Sequence, residues 1–226
     1  MRKKQSVEQY VFETLERAIL SRKLAPGKQL VETTISNQLN VSRTPIRNAI
    51  KRLEKVDLVE VFPNKGAFVT NPSRKEILQA YDLRKELEIL AAKKAINYLT
   101  ETDFEYMEAC IEREKEALKE RDLITYLQAN RDFHMAITTK ADNRFLNEFV
   151  DKLINQTNVY LILFDSFFET STSTPVSPKE HQDIIILLRA NNWEELSKLL
   201  IMHFENSIKS LSLQKVNEYK DMDEIF

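Results

Sequence analysis

Glycine is almost missing from this chain: two of its 226 residues, Gly27 and Gly66. That excludes a glycine-rich phosphate-binding loop and favours helices over turns that need glycine. Cysteine occurs once, at Cys110, so no internal disulfide can form and a cytoplasmic location is expected. Long apolar runs are absent as well. The richest stretch, Ile184-Ile185-Ile186-Leu187-Leu188, is far short of the roughly 20 residues that cross a bilayer, so no membrane partner is expected. The start, Met1-Arg2-Lys3-Lys4-Gln5, leads into an amphipathic helix rather than a secretion signal. No internal repeat occurs. What remains is an ordinary soluble composition, 42% hydrophobic and 30% charged, long enough for one or two domains.

The charge is unevenly placed. The net value is −2, yet residues 1–72 hold 13 Lys/Arg against 7 Asp/Glu, and residues 73–226 hold 20 against 28. A basic front on an acidic body points to nucleic acid as partner of the first segment. On charge alone, two solvated surfaces that merely differ stay open as the alternative. The stretch Val41–Leu53 narrows the choice. Ser42 suits a helix N-cap, and Pro45 is tolerated only in a first turn, where backbone donors lack intrahelical partners. Ile46, Ala49, Ile50 and Leu53 then share one face, while Arg43, Arg47 and Lys51 recur every four residues on the other. A short capped helix with an apolar back and a basic front suits a DNA major groove.

The neighbouring pattern completes a module. A first helix is expected from Ser6 to Ser21, with Ser6 and Gln9 as a capping box and Tyr10, Leu15, Ala18 and Ile19 as its buried stripe. Ala25-Pro26-Gly27 reads as a turn. A second helix covers Thr34–Leu39 and ends at Asn40, a residue that accepts the left-handed C-cap. Leu58–Phe62 and Ala67–Thr70 read as strands joined by Pro63-Asn64-Lys65-Gly66. Residues 1–72 thus predict a winged helix-turn-helix.

Beyond Asn71-Pro72 everything reads as helix: Ser73–Leu99, Thr102–Glu120, Asp122–Lys140, Asn143–Thr170, Ser177–Ala190 and Asn192–Val216. Capping boxes are expected at Ser73/Glu76, Thr102/Glu105, Ser177/Glu180 and Asn192/Glu195. Short connections imply antiparallel neighbours. The expected class is mainly α: a winged helix-turn-helix, then an antiparallel all-α bundle over 73–216, with 217–226 a frayed tail.

These residues resemble the GntR superfamily of bacterial transcription regulators. Leu24-Ala25-Pro26-Gly27-Lys28-Gln29-Leu30 is similar to its L-x-P-G-x-x-L element, Val41–Arg47 to its V-S-R-T-P-[VI]-R signature, and Pro63–Gly66 to its wing. The remainder resembles the FadR-type C-terminal (FCD) domain in its six-helix, VanR-like form. The matching pieces are Arg84 with Glu88, Phe133-His134, Ala141 to Leu146, and Glu180-His181. Two family glycines are missing: Arg22-Lys23 and Asp57 stand where glycine is usual.

The resemblance implies a regulator, most often a repressor, that binds a pseudo-palindromic double-stranded operator as a homodimer. It implies that Arg43 and Arg47 read bases and grip phosphate, that Ser42 and Thr44 bind phosphate, and that Lys65-Gly66 bring the wing into the minor groove. Lys51 is expected on the DNA backbone. It also implies a metal site, because all three histidines, His134, His181 and His203, occupy FCD positions. Zn²⁺ is expected first, with Ni²⁺, Mn²⁺ or Fe²⁺ as alternatives. Asn130, one turn before His134, stands where the family usually has Asp. A neutral ligand set leaves the full ion charge, so weaker metal retention and stronger attraction for an anionic effector are expected.

The implied effector is a small carboxylate. Arg84 is a candidate to grip it, or else forms a surface ion pair with Glu88 at i+4. Asn155 and Asn158 line the cavity or face solvent, whereas Tyr81, Phe133 and Phe164 are expected in the core. A metal-free ligand pocket and a three-histidine metallohydrolase are the competing readings. The second lacks a base beside a metal histidine, since Glu180 neighbours His181 but points away from it.

Overall fold

Scarcity of glycine leaves its mark on the backbone. Among the described residues, seven that are not glycine adopt positive φ: Arg22, Asn40, Asp57, Asn64, Arg121, Asp142 and Asn191. Five are Asn or Asp, whose short polar side chains tolerate the left-handed region; the two arginines do not share that tolerance. Arg22, at φ 57°, and Asp57, at φ 58°, lie where the family pattern usually has glycine. The fold therefore keeps both left-handed turns without glycine, at a steric cost that falls on Arg22 more than on Asp57.

The computed structural model describes residues 6–164 and 176–211. The expected helical extensions over 165–170 and 212–216, and the tail 217–226, fall outside them. The chain divides into two compact units at Ser73/Arg74. The first contains α1 (Val7–Leu20), β1 (Gln29–Leu30), α2 (Glu32–Leu39), α3 (Arg43–Lys55), β2 (Val59–Phe62) and β3 (Gly66–Val69). Val11, Leu15, Ala18 and Ile19 bury the inner stripe of α1; Tyr10, expected in that stripe, is exposed. Ser6 accepts from the Gln9 amide, but the Gln9 side chain turns to Glu13 and Arg52, so the expected reciprocal box is only half made. Asn40 closes α2 in the left-handed conformation, as its side chain predicts. The sheet runs β1-β3-β2, all antiparallel, with Phe62 opposite Gly66 and Leu30 opposite Ala67. The two-residue β1 has no sequence period of its own, so only the hairpin was legible.

The second unit holds α4 (Arg74–Ala95), α5 (Glu101–Glu120), α6 (Leu123–Thr139), α7 (Arg144–Phe164), α8 (Ser177–Arg189) and α9 (Trp193–Ser210). α4 packs against α6, α7 and α9; α5 packs against α6 and α8. Its core gathers Ala92, Phe104, Met107, Ile111, Phe133, Ile184, Leu188 and Leu200. Two expected capping boxes are not formed. α5 is capped two residues earlier, by Thr100, whose N–H donates to the Asp103 carboxylate at 2.8 Å. At α8 the N-cap is Val176, because Ser177 bonds Tyr126 and Glu180 turns into the bundle. Asp122 and Asn192 cap α6 and α9 by accepting from Thr125 and Glu195 amides.

Candidate metal centre and DNA interface

All six bundle helices send a polar side chain into one buried layer. α4 gives Arg84 and Glu88, α5 Glu114, α6 Asn130 and His134, α7 Thr157, α8 Glu180 and His181, and α9 His203; all are buried. A soluble core takes up so many ionisable groups only when they satisfy one another or hold a ligand.

The three histidines meet at the centre, ring centroids 5.0–5.3 Å apart, with one ring nitrogen from each within 4.8 Å of the others. Each has its own glutamate. His134 Nδ1 donates to Glu88 at 2.6 Å, His181 Nδ1 to Glu114 at 2.9 Å, and His203 Nδ1 to Glu180 at 2.7 Å. Carboxylates this close fix the Nδ1–H tautomer, which leaves Nε2 with its lone pair. His181 Nε2 is buried and has no hydrogen-bond partner. Phe133 stacks on the His181 ring at 4.0 Å, so this core phenylalanine also sets the ring plane.

The carboxylates are themselves braced. Glu88 accepts from Arg84 Nε at 2.6 Å, and Arg84 Nη1 donates to Thr157 at 2.8 Å. Glu114 accepts from Asn130 Nδ2 at 3.3 Å, and Glu180 from Asn206 Nδ2 at 2.6 Å. Burial works to raise the Glu88 carboxyl, but Arg84 and His134 overcome it and hold the pKa at about 2. Burial depresses His134 to about 3, against the opposing pull of Glu88, and lowers His203 in the same way. Burial works to raise Glu180 too, yet hydrogen bonds from His203 and Asn206 leave it below its ordinary value. At neutral pH His134 and His203 are therefore neutral imidazoles, and Glu88 and Glu180 are ionised carboxylates.

This donor set fits a divalent ion. Metal-bound histidines characteristically donate their second nitrogen to a carboxylate, and the three rings that meet here are each held that way. The composition agrees: the layer buries three carboxyl groups, Glu88, Glu114 and Glu180, with the single guanidinium of Arg84. The ligand ring is neutral, and the glutamates behind it carry the acidic groups that the ring lacks.

In the first unit, Ser42, Arg43, Thr44, Arg47 and Lys51 are all exposed on α3, and Ile46, Ala49, Ile50 and Leu53 are buried beneath them. Ser42 is the N-cap of α3 by position, but its hydroxyl makes no capping bond. Arg47 Nε donates to both oxygens of Glu32 at 2.9 and 2.8 Å, an exposed contact that raises the Arg47 pKa. Lys65 and Gly66 are exposed in the wing. Its turn places Pro63 before Asn64 at φ 62°, with Lys65 N–H donating to Phe62 C=O. Gly66 has φ +99°, and Gln29 Nε2 donates to the Lys65 carbonyl at 2.8 Å, tying the wing to β1.

The two halves match known families. The family described as "Bacterial regulatory proteins, gntR family" matches residues 8–69, and "FCD domain" matches residues 79–206, more than half of the chain. This chain is a GntR-family transcription regulator with an FCD domain. Among its relatives is the HTH-type transcriptional repressor RspR of Escherichia coli strain K12, 24% identical over 92% of this chain and 90% of RspR. The fold is similar to that of E. coli McbR/YncC, with TM-score 0.64, 23% identity and coverage of 92% and 98%. A GntR regulator from Rhodococcus sp. RHA1 is similar at TM-score 0.64 and 22% identity, covering 94% and 99%.

As a GntR/FCD protein the chain is a DNA-binding regulator rather than an enzyme. The hydrolase reading also lacks a free base, because Glu88, Glu114 and Glu180 are all spent orienting histidines. Among the described residues no helix is long and apolar enough to cross a membrane. Of the effector candidates, Arg84 is buried at 3% exposure, so its pairing with Glu88 is no surface ion pair. Asn155 is exposed, and the polar side chain that α7 commits to the layer is Thr157. Asn158 is half-buried, with a buried Oδ1 that lacks a partner. Tyr81, Phe133 and Phe164 are in the core. Asp132 points away from the histidines, toward Arg113.

Glu114, Thr157 and Asn206 are residues that sequence reasoning missed. A signal existed for Glu114, which falls in register with the buried stripe Phe104, Met107 and Ile111 of α5. A glutamate on an apolar stripe marks a buried partner.

Proposed function

We propose that this regulator is a homodimeric repressor acting in the cytoplasm, whose FCD domain holds a divalent metal and binds a small carboxylate through it. The observation that carries the reading is the set of three Nδ1–carboxylate pairs, with His181 Nε2 buried and unpartnered between them. His134, His181 and His203 would hold the ion, with Asn130 offering its carbonyl oxygen. Zn²⁺ suits three imidazoles best, and Ni²⁺, Mn²⁺ or Fe²⁺ are chemically admissible. A bound ion supplies Lewis acidity and an exchangeable position for the effector carboxylate. Arg84 could reach that effector only by sharing its guanidinium with Glu88 and Thr157, so Asn158 is the better candidate for a second contact.

On the DNA side, Arg43 and Arg47 would read bases, Ser42, Thr44 and Lys51 would contact phosphates, and Lys65-Gly66 would follow the minor groove. Dimerisation is supported by apolar surface left exposed on two packed helices: Leu83 and Leu90 on α4, and Phe145 and Phe149 on α7. A second copy covering it would pair two heads with a pseudo-palindromic operator. The effector acts as a switch only if it binds the DNA-free and DNA-bound arrangements with different affinity.

The test is elemental analysis of gently purified protein beside His134→Ala, with sedimentation to count chains. Near-stoichiometric metal that His134→Ala loses is expected. Metal-free protein, with His134→Ala binding screened organic acids unchanged, would replace this reading with a metal-free pocket.

A further inference from the structure

Asn130 is a neutral amide next to a buried carboxylate that bridges two donors. Glu114 has no exposed surface; one oxygen accepts from His181 Nδ1 at 2.9 Å and the other from Asn130 Nδ2 at 3.3 Å. We propose that Glu114 is the positioning residue of the metal centre, supplying from behind the ligand ring the negative charge that Asn130 lacks. The proposal rests on the metal reading above.

The chemistry follows from what Glu114 touches. An ionised carboxylate accepts and never donates, so it forces His181 to carry its proton on Nδ1 and Asn130 to turn its NH₂ outward. Both constraints act on the inner side: His181 is left with a bare Nε2, and Asn130 with Oδ1 as the atom it can offer. A glutamine at 114 cannot do this, since its single oxygen can satisfy one of the two donors and its NH₂ opposes the other. Either His181 moves its proton to Nε2 or Asn130 flips its amide, and each change removes a ligand atom.

The experiment uses the full chain with Zn²⁺ and Ni²⁺ as probes, against a chromogenic chelator, in wild type, Glu114→Gln, Asn130→Asp and the double variant. Glu114→Gln is expected to weaken binding about 10- to 100-fold. The double variant, which moves the carboxylate from position 114 to 130, should return to within about threefold of wild type. Long-range ¹⁵N spectra of the apo-protein should show His181 as the Nδ1–H tautomer in wild type, with that signature or the Asn130 amide signals altered in Glu114→Gln. Asn130→Asp alone sets two buried carboxylates against each other, so its apo form should melt about 3 °C or more below wild type. That loss should vanish in the double variant.

Glu114→Gln binding both ions like wild type, or apo Asn130→Asp melting with wild type, would overturn the proposal. The second result decides the matter even if Glu114→Gln does not fold. Wild type that binds neither ion removes the metal reading and this one together; normal wild-type binding with an indifferent Glu114→Gln removes this one alone.

Discussion

Glu88→Gln is the sharpest probe of the buried layer, because it changes one charge and almost no volume. Glu88 accepts from Arg84 Nε and from His134 Nδ1, each at 2.6 Å, and both partners are buried. Glutamine retains one acceptor for these two donors. If its oxygen stays with Arg84, its NH₂ faces His134, which must move its proton to Nε2 to accept. If it stays with His134, a buried guanidinium loses its partner. Breaking a buried ion pair on one side costs about 3–5 kcal/mol, and an unmet neutral donor about 1–3 kcal/mol. The cheaper branch keeps Arg84 bonded, yet without the neutralising charge, so a loss near 3 kcal/mol is expected. For a chain of this size that is a fall of about 6–12 °C in apo melting temperature. The same branch places a proton on His134 Nε2, so metal affinity should drop about 10- to 100-fold as well. Thermal and urea unfolding of the apo-protein, with chelator competition for Zn²⁺, measure both effects. Glu86→Gln is the control, since its contact with Lys85 is exposed at 3.7 Å and is worth at most about 0.5 kcal/mol. A Glu88→Gln variant that melts within 2 °C of wild type, at roughly the resolution of the assay, and binds Zn²⁺ normally would refute the reasoning.

Other perturbations read other parts of the molecule. His134 and His203 have folded pKa values below the ordinary one, so the unfolded chain takes up protons first as pH falls; their stabilisation is complete above about pH 6.5 and drains away below it, for His134 down to about pH 3. Glu88 adds the same sign at lower pH, lost between about 4.5 and 2, so apo-protein unfolding midpoints should decline steadily below pH 6.5; a flat profile to pH 4 would contradict the buried neutral imidazoles. Arg121→Gly removes a Cβ from a φ of 57° at the end of α5 and should stabilise the protein by about 1 kcal/mol in urea titrations, with a smaller gain for Asp57→Gly; a loss at Arg121 would show that its side chain compensates the strain. Arg47→Ala should weaken binding to a promoter fragment retained by wild type by about 1–3 kcal/mol, and Lys65→Ala should lower the salt slope by about one. Unchanged anisotropy titrations for both would remove α3 and the wing from the interface.

How much of this was legible depended on whether the information was local. Ser42, Pro45 and the alternation of Ile46–Leu53 against Arg43, Arg47 and Lys51 all lie within thirteen residues, and α3 forms with that apolar face buried. The hairpin was equally visible, because Pro63–Gly66 carries its own turn chemistry. Capping was less secure. Thr100 and Thr102 each precede an acid by three residues, and sequence alone does not say which closes α5. Ser177 and Glu180 have the pattern of a box, but tertiary partners, Tyr126 and His203, claim both side chains. The histidines could be named from their positions in the pattern, whereas their glutamates could not. His181 meets Glu114 across 67 residues, and such a pairing leaves no periodic trace.

The same layer also weighs against a packed-core explanation of the histidines. A histidine kept only for packing needs one acceptor for one N–H, and a backbone carbonyl would serve without desolvating a charge. Here three carboxyl groups are taken out of water beside three imidazoles, and among the described residues Arg84 is the one buried cation with them. Burying an uncompensated carboxylate costs several kcal/mol even after relaxation. On the proposed reading a divalent cation would relieve that cost, and the bonded Nδ1 positions would leave the Nε2 atoms to receive it. On this argument metal should raise the melting temperature of wild type far more than that of His134→Ala, and a chelator should lower it back toward the apo value.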